Sequence, residues 1–245
     1  ADLDAVANTI TVNVNSVNDA PSGADKTITT LEDTQYTLTA ADFGFSDVDD
    51  TPADALSGVK ITTLPGAGSL TLNGVAVTAG QTVAAADITG GLLKFAPALN
   101  ANGAGHANFT FQVQDDGGVA NGGVDLDASA NTITFDVTSV NDAPSGTDKT
   151  ITTLEDTQYI FTTSDFGFSD VSDSPANALA NVKITTLPGA GSLTLNGVAV
   201  TAGQFISAAD VTSGLLKFAP AANANGAAYA AFTFQVQDDG GVANG

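Results

Sequence analysis

Apolar and polar residues alternate along most of this chain. Ile10, Val12 and Val14 are separated by Thr11, Asn13 and Asn15, and the same rhythm runs through Ile133, Phe135 and Val137, through Leu70 and Leu72, and through Phe109, Phe111 and Val113. Successive side chains of a strand point to opposite faces, so a period of two predicts strands with one buried and one wet face. Strands are expected over 27–31, 35–39, 59–63, 92–95, 108–114 and 131–140. Asn73-Gly74, set between Leu70-Thr71-Leu72 and Val75-Ala76-Val77, predicts a hairpin, because both central positions of a type I′ turn need positive φ. Helical stretches are limited to about a turn near 40–43 and 84–88. Short strands punctuated by Gly- and Asp-rich turns point to an all-β chain, an antiparallel β-sandwich of immunoglobulin-like type.

The pattern repeats. Val17-Asn18-Asp19-Ala20-Pro21-Ser22-Gly23 returns as Val140 to Gly146, an offset of 123, and aligning 18–122 with 141–245 leaves 19 differences in 105 positions without a gap. Such uniformity suggests a recent duplication within a longer array. The Asn-Asp-Ala-Pro-Ser-Gly segment is the linker candidate, since Pro and Gly interrupt a ladder there. Cutting at it gives residues 1–18 as the last strand of a preceding repeat, 19–141 as a complete sandwich, and 142–245 as a second repeat lacking its final strand. Residues 8–17 and the strandless second repeat are then complementary, which raises head-to-tail self-association by strand donation as an expectation.

Composition narrows the chemistry. The 245 residues carry 27 acids against 6 lysines, a formal charge of −21, with one His and no Cys, Met, Trp or Arg. An anionic chain without arginine has no electrostatic drive toward nucleic acid or anionic lipid. No run of 18 apolar residues exists, and the N-terminus shows no basic region followed by an apolar stretch. Without Cys, disulfides and thiolate chemistry are excluded, and one His cannot build a His-rich metal centre. Catalysis is not expected either, because the single His, His106, is Tyr229 in the other copy.

The acids cluster. Asp47, Asp49 and Asp50 stand together, as do Asp115 with Asp116, Asp125 with Asp127, and Asn18 with Asp19. The second copy repeats them at Asn141, Asp142, Asp170, Asp173, Asp238 and Asp239, with Ser172 for Asp49 and Asn177 for Asp54. Left bare, such carboxylates repel one another, and a hard divalent cation takes six to eight oxygens from Asp, Asn and backbone carbonyls. Residues 18–140 carry 15 acids and 3 lysines, a net of −12, which three divalent ions would halve. Isolated acids such as Asp25 and Asp87 read as solvated turn residues.

The order of these motifs resembles a cadherin repeat. A strand ending in Asp115-Asp116-Gly117-Gly118 is followed by a last strand and then Val140-Asn141-Asp142-Ala143-Pro144, Leu31-Glu32-Asp33-Thr34 lies where cadherins carry an early glutamate, and Asp47-Val48-Asp49-Asp50 looks like their Asp-x-Asp motif. The whole period is similar to the cadherin-like and VCBS-type repeats of giant bacterial RTX adhesins. The resemblance implies tandem Greek-key sandwiches acting as extracellular extender modules on a bacterial surface, stiffened by Ca2+ between neighbouring repeats and supporting adhesion and biofilm formation. Carried over, the ligand candidates are Asn18, Asp19, Glu32, Asp47, Asp49, Asp50, Asp115, Asp116, Asp125, Asp127, Asn141, Asp142, Glu155, Asp170, Asp173, Asp238 and Asp239. No Leu-Asp-Arg-Glu sequence occurs; Phe95-Ala96-Pro97 stands in its place. The runner-up is a ligand-binding adhesin module, for which Thr82 to Phe205 and His106 to Tyr229 are the candidate surface changes.

Overall fold

In the computed structural model, which describes residue 2 and residues 4–242, the chain is mostly strand, arranged in several largely antiparallel sheets with short helical turns. It divides into two compact units, 1–138 and 139–245.

Unit 1 holds nine strands: β1 (Lys26–Leu31), β2 (Tyr36–Thr37), β3 (Leu56–Ile61), β4 (Ser69–Leu72), β5 (Val75–Ala76), β6 (Thr82–Ala84), β7 (Leu93–Ala96), β8 (Gly103–Asp115) and β9 (Asn131–Thr138). They form a five-stranded sheet in the order β1-β9-β8-β3-β6 and a four-stranded sheet in the order β2-β7-β4-β5. All pairs are antiparallel except β1 with β9, which run parallel from Lys26 opposite Ile133 to Leu31 opposite Thr138. The alternation does what its period requires: Phe109, Phe111, Val113, Ile133 and Phe135 from the first sheet and Leu93 and Phe95 from the second are all fully buried in one core. Phe135 is its centrepiece, stacked on Phe95 at 3.8 Å between ring centroids and edge-on to Tyr36 at 6.1 Å.

Local chemistry fixes the turns. Asn73 and Gly74 take φ of 49° and 79°, so the expected hairpin forms between β4 and β5 with Leu72 opposite Val75. A 3-10 turn over Ala40–Phe43 is held by Asp42, which accepts from Thr39 N at 2.7 Å and is clamped by Lys26 Nζ at 2.7 Å. A short helix α1 (Ala85–Thr89) follows β6. Strand β6 was not expected, and only two residues of 35–39 are laddered.

Unit 2 contains β10 (Tyr159–Ile160), β11 (Leu179–Ile184), β12 (Ser192–Leu195), β13 (Val198–Ala199), β14 (Phe205–Ser207), helix α2 (Ala208–Thr212), β15 (Leu216–Ala219) and β16 (Phe234–Asp238). Its sheets run β10-β15-β12-β13 and β14-β11-β16. Residue for residue these match unit 1 at the offset of 123, with one systematic loss. Residues 149–154, aligned with β1, form no strand, and β16 has five residues where β8 has thirteen. In unit 1 the edge strand β1 pairs with β9 alone, and β9 also supplies the partner of β8 from Gly103 to Phe111. A ladder without its partner does not form.

The same reason explains 8–17. These residues carry the alternating pattern but form no strand, and Ile10, Val12 and Val14 stand 89%, 75% and 89% exposed.

Truncating the central ring, Phe135→Ala, is expected to cost unit 1 about 3–5 kcal/mol. Urea unfolding of the full chain, followed by amide exchange of β8, checks this; an unchanged midpoint for β8 would contradict the packing described.

Candidate metal centre

The acidic groups of unit 1 gather where β8 ends. Asp115, 2% exposed, is the last residue of that strand. Its Oδ1 accepts from Gly117 N at 2.9 Å and from Asn18 Nδ2 at 3.1 Å, while its Oδ2 is buried without a protein partner. Asn18 is pinned on the other side, donating Nδ2 to Val124 O at 2.7 Å, and its own Oδ1 is likewise buried and unpartnered.

The loop after the 3-10 turn supplies the rest. Asp47 and Asp50 are each 8% exposed. Asp47 Oδ2 accepts from Asp54 N at 2.7 Å, leaving Oδ1 buried and unpartnered, and Asp50 Oδ2 accepts from Asp19 N at 2.9 Å. These bonds fold the loop so that a carboxylate oxygen from each of Asp47, Asp50 and Asp54 lies within 4.8 Å of the others. Gly117 is required at this spot, because an added Cβ would overlap both Asn18 Oδ1 and Asp54 Oδ2. Those two acceptors are therefore neighbours, and Asn18 Oδ1 has no donor.

That arrangement is unfavourable for a bare protein. Burial, together with the charges of Asp50, Asp115, Asp116 and Asp47, pushes the Asp54 carboxyl above its usual range. A cation removes the conflict. Oxygens sharing one Ca2+ at roughly 2.3–2.6 Å lie at most about 5 Å apart, so the three carboxylates fit a common ion, with Asn18 Oδ1, Asp47 Oδ1 and Asp115 Oδ2 as further oxygens of the same loop cluster.

Unit 2 resolves the conflict differently. Asn177 stands where Asp54 does, and its Nδ2 donates to Asn141 Oδ1, the atom equivalent to the unpartnered one in unit 1. An amide N–H thus supplies here the donor that Asn18 Oδ1 lacks in unit 1. The remaining scaffold is kept: Asp170 Oδ2 accepts from Asn177 N at 2.6 Å, Asp173 accepts from Asp142 N, and Asp238 Oδ1 accepts from Gly240 N at 3.0 Å and from Asn141 Nδ2 at 3.3 Å. Asp170 Oδ1 stays buried and unpartnered. Burial and the neighbouring Asp170 hold the Asp173 carboxyl above its usual range.

The other sequence candidates fall elsewhere. Asp49 is exposed and outside the three-carboxylate group. Asp116 and Asp239 each accept a backbone N–H, from Ala55 and Ala178 at 2.7 Å, and tie the two loops together. Asp125 accepts from Gln114 Nε2 at 2.9 Å. Asp127 lies apart, its oxygens accepting from Gly23 N, Asn131 Nδ2 and Ser129 N at 2.8–3.0 Å, so it straps separate segments together. Glu32 accepts from Asn102 Nδ2 at 2.9 Å beside the start of β8, and Glu155 does the same with Asn225. Since Asp115 sits at the other end of that thirteen-residue strand, roughly 40 Å of extended chain separates Glu32 from the cluster. Asp54 is the ligand candidate the sequence reading missed, although its replacement by Asn177 was the available signal.

Comparison with protein-family models, with curated proteins and with solved structures returns no match.

Two outcomes follow for pH and mutation. In chelator, stability of unit 1 should fall as pH rises from the ordinary carboxylate value through the raised value of Asp54, because ionising it adds a repelled charge. Asp42 acts in the opposite sense: burial raises it, but Lys26 and Thr39 outweigh burial and hold it low, so its contribution is lost as pH falls below the ordinary range. Asp54→Asn, copying unit 2, should raise the metal-free melting temperature and flatten the first slope while leaving the second. Melting curves in chelator from about one unit below the ordinary carboxylate values to nearly three above them, roughly pH 3–7, decide this; an Asp54→Asn protein with the parental slope would show the cluster is not electrostatically strained.

Proposed function

We propose that this chain is a non-enzymatic, calcium-stabilised extender segment of a large extracellular bacterial surface protein, built from Ig-like Greek-key sandwich repeats related to the cadherin-like and VCBS-type modules of RTX adhesins. The observation that carries the reading is the pair of acceptors, Asn18 Oδ1 and Asp54 Oδ2, crowded together above Gly117 among buried carboxylates, which a bound cation would reconcile. Strand order supports the sandwich assignment: the first and last strands of unit 1 pair in parallel in a sheet completed by β8, β3 and β6, while β2, β7, β4 and β5 cover the other face.

Calcium is the ion of choice because the ligands are all oxygens of an irregular loop, and modules of this kind hold it at about 0.1–1 mM, a level met outside cells. A spacer needs copies rather than a unique pocket, and a 123-residue period with four fifths of its residues unchanged fits that need. A catalytic role has little to stand on. The His106 position becomes Tyr229, whose hydroxyl accepts from Ala221 N at 3.2 Å as part of a loop.

Isothermal titration and melting of the full chain in Ca2+ and in chelator test the proposal. The expected result is binding in the 0.1–1 mM range with a higher melting transition for unit 1, weakened at least tenfold in Asp47→Asn. Indifference to Ca2+ at several millimolar would remove the stabilising ion from the account.

A further inference from the structure

Five Asn-Gly pairs lie among the described residues, beginning at Asn73, Asn102, Asn121, Asn196 and Asn225. Each is reactive by its covalent structure alone. The Asn carboxamide carbon can close a succinimide ring onto the following backbone nitrogen, and a Gly at that position adds no Cβ to obstruct the approach. What differs is how each pair is held.

Four of them are fixed. Asn102 Nδ2 donates to Glu32 Oε2 at 2.9 Å and Asn225 Nδ2 to Glu155 Oε2 at 2.8 Å, so both carboxamides are turned toward a carboxylate. Asn73 and Asn196 sit at hairpin tips, flanked by the pairs Leu72 with Val75 and Leu195 with Val198, and their own N–H groups donate to Leu92 O and Leu215 O at 2.9 Å. Rotating either backbone toward ring closure disrupts a strand end. Asn121 has neither restraint. Residues 119–122 are all exposed, and Asn121 takes φ of 57° in an irregular 3-10 turn. Its carboxamide has no hydrogen-bond partner among the described residues, and a Cβ placed on Gly122 would meet nothing within 4 Å.

We infer that Asn121-Gly122 is a self-modification site. The Gly122 nitrogen attacks Asn121 Cγ, the Cγ–Nδ2 bond breaks, and ammonia leaves with the Gly122 amide proton; water then opens the succinimide at either carbonyl, giving Asp or isoaspartate at position 121. Water is the one co-reactant.

The place of this loop gives the reaction a consequence. Val124, just beyond it, clamps Asn18, donating its N–H to Asn18 O at 3.0 Å and accepting Asn18 Nδ2 on its own carbonyl at 2.7 Å. The turn leading to Val124 is closed by Gly123 N on Ala120 O at 3.1 Å, a bond that spans residues 121 and 122. Isoaspartate routes the main chain through the former side chain and lengthens it by a methylene, so that turn no longer closes in register. Either product also adds a negative charge to the loop that follows Asp115 and Asp116. Modification at 121 therefore loosens the hold on Asn18. No metal takes part, so the inference stands or falls separately from the calcium reading.

Ageing the full chain in chelator and mildly alkaline buffer, followed by site-resolved peptide mass spectrometry, tests the site. Asn121 is expected to convert at least roughly tenfold faster than each of the other four, and in urea, where their restraints are gone, the five rates should draw together. An Asn121 matched or outpaced by any of the other four in the folded chain would overturn the assignment, as would the same spread of rates in urea. Amide exchange of aged against fresh protein tests the consequence. Protection of the Val124 N–H should fall at least roughly tenfold in the converted parent, and should hold in Asn121→Gln aged alongside it, whose longer side chain closes the ring far less readily. Unchanged Val124 protection in fully converted protein would overturn the link to Asn18.

Discussion

The insertion of β9 between β1 and β8 is the contact on which the completeness of a unit depends. It supplies one strand's worth of hydrogen bonds to each neighbour and three core side chains at once. Where it is present, β8 runs for thirteen residues and β1 exists. Where its equivalent is missing, a nearly identical sequence yields five residues and no first strand. Local propensity is nearly identical in the two units, so the difference isolates tertiary pairing as the cause.

Electrostatics sets a second constraint at the far end of β8. Buried polar atoms need partners, and a buried acceptor facing another acceptor has none that the chain itself provides. Unit 1 leaves three such oxygens on Asn18, Asp47 and Asp115; unit 2 satisfies the Asn18 equivalent with the amide of Asn177. A single change from carboxylate to carboxamide turns a site of unpartnered acceptors into one that partly closes on itself.

Much of this was legible in the chain. Alternation located β1, β7, β8 and β9, and Asn73-Gly74 located the hairpin between β4 and β5, because period and positive φ are properties of neighbouring residues. What escaped was set by residues distant in sequence. Strand β6 is only three residues long and is recognisable through its pairing with β3. The pattern at 8–17 promised a strand that needs a partner to exist. Asp127 sits in as acidic a run as the clustered carboxylates do, yet its oxygens accept from Gly23, 104 positions away, and from Asn131 and Ser129 nearby. Asp54, by contrast, joins the cluster because its own N–H closes the loop on Asp47, a bond that spacing alone does not announce.

The exchange of Asp54 for Asn177 bears on how a long array would behave. On the calcium reading proposed above, modules with the carboxylate would depend on dissolved ions, whereas modules with the amide would carry part of the remedy in their own covalent structure. A fibre mixing the two would lose firmness in stages as its surroundings became depleted, keeping some segments folded while others slackened, instead of giving way at a single threshold.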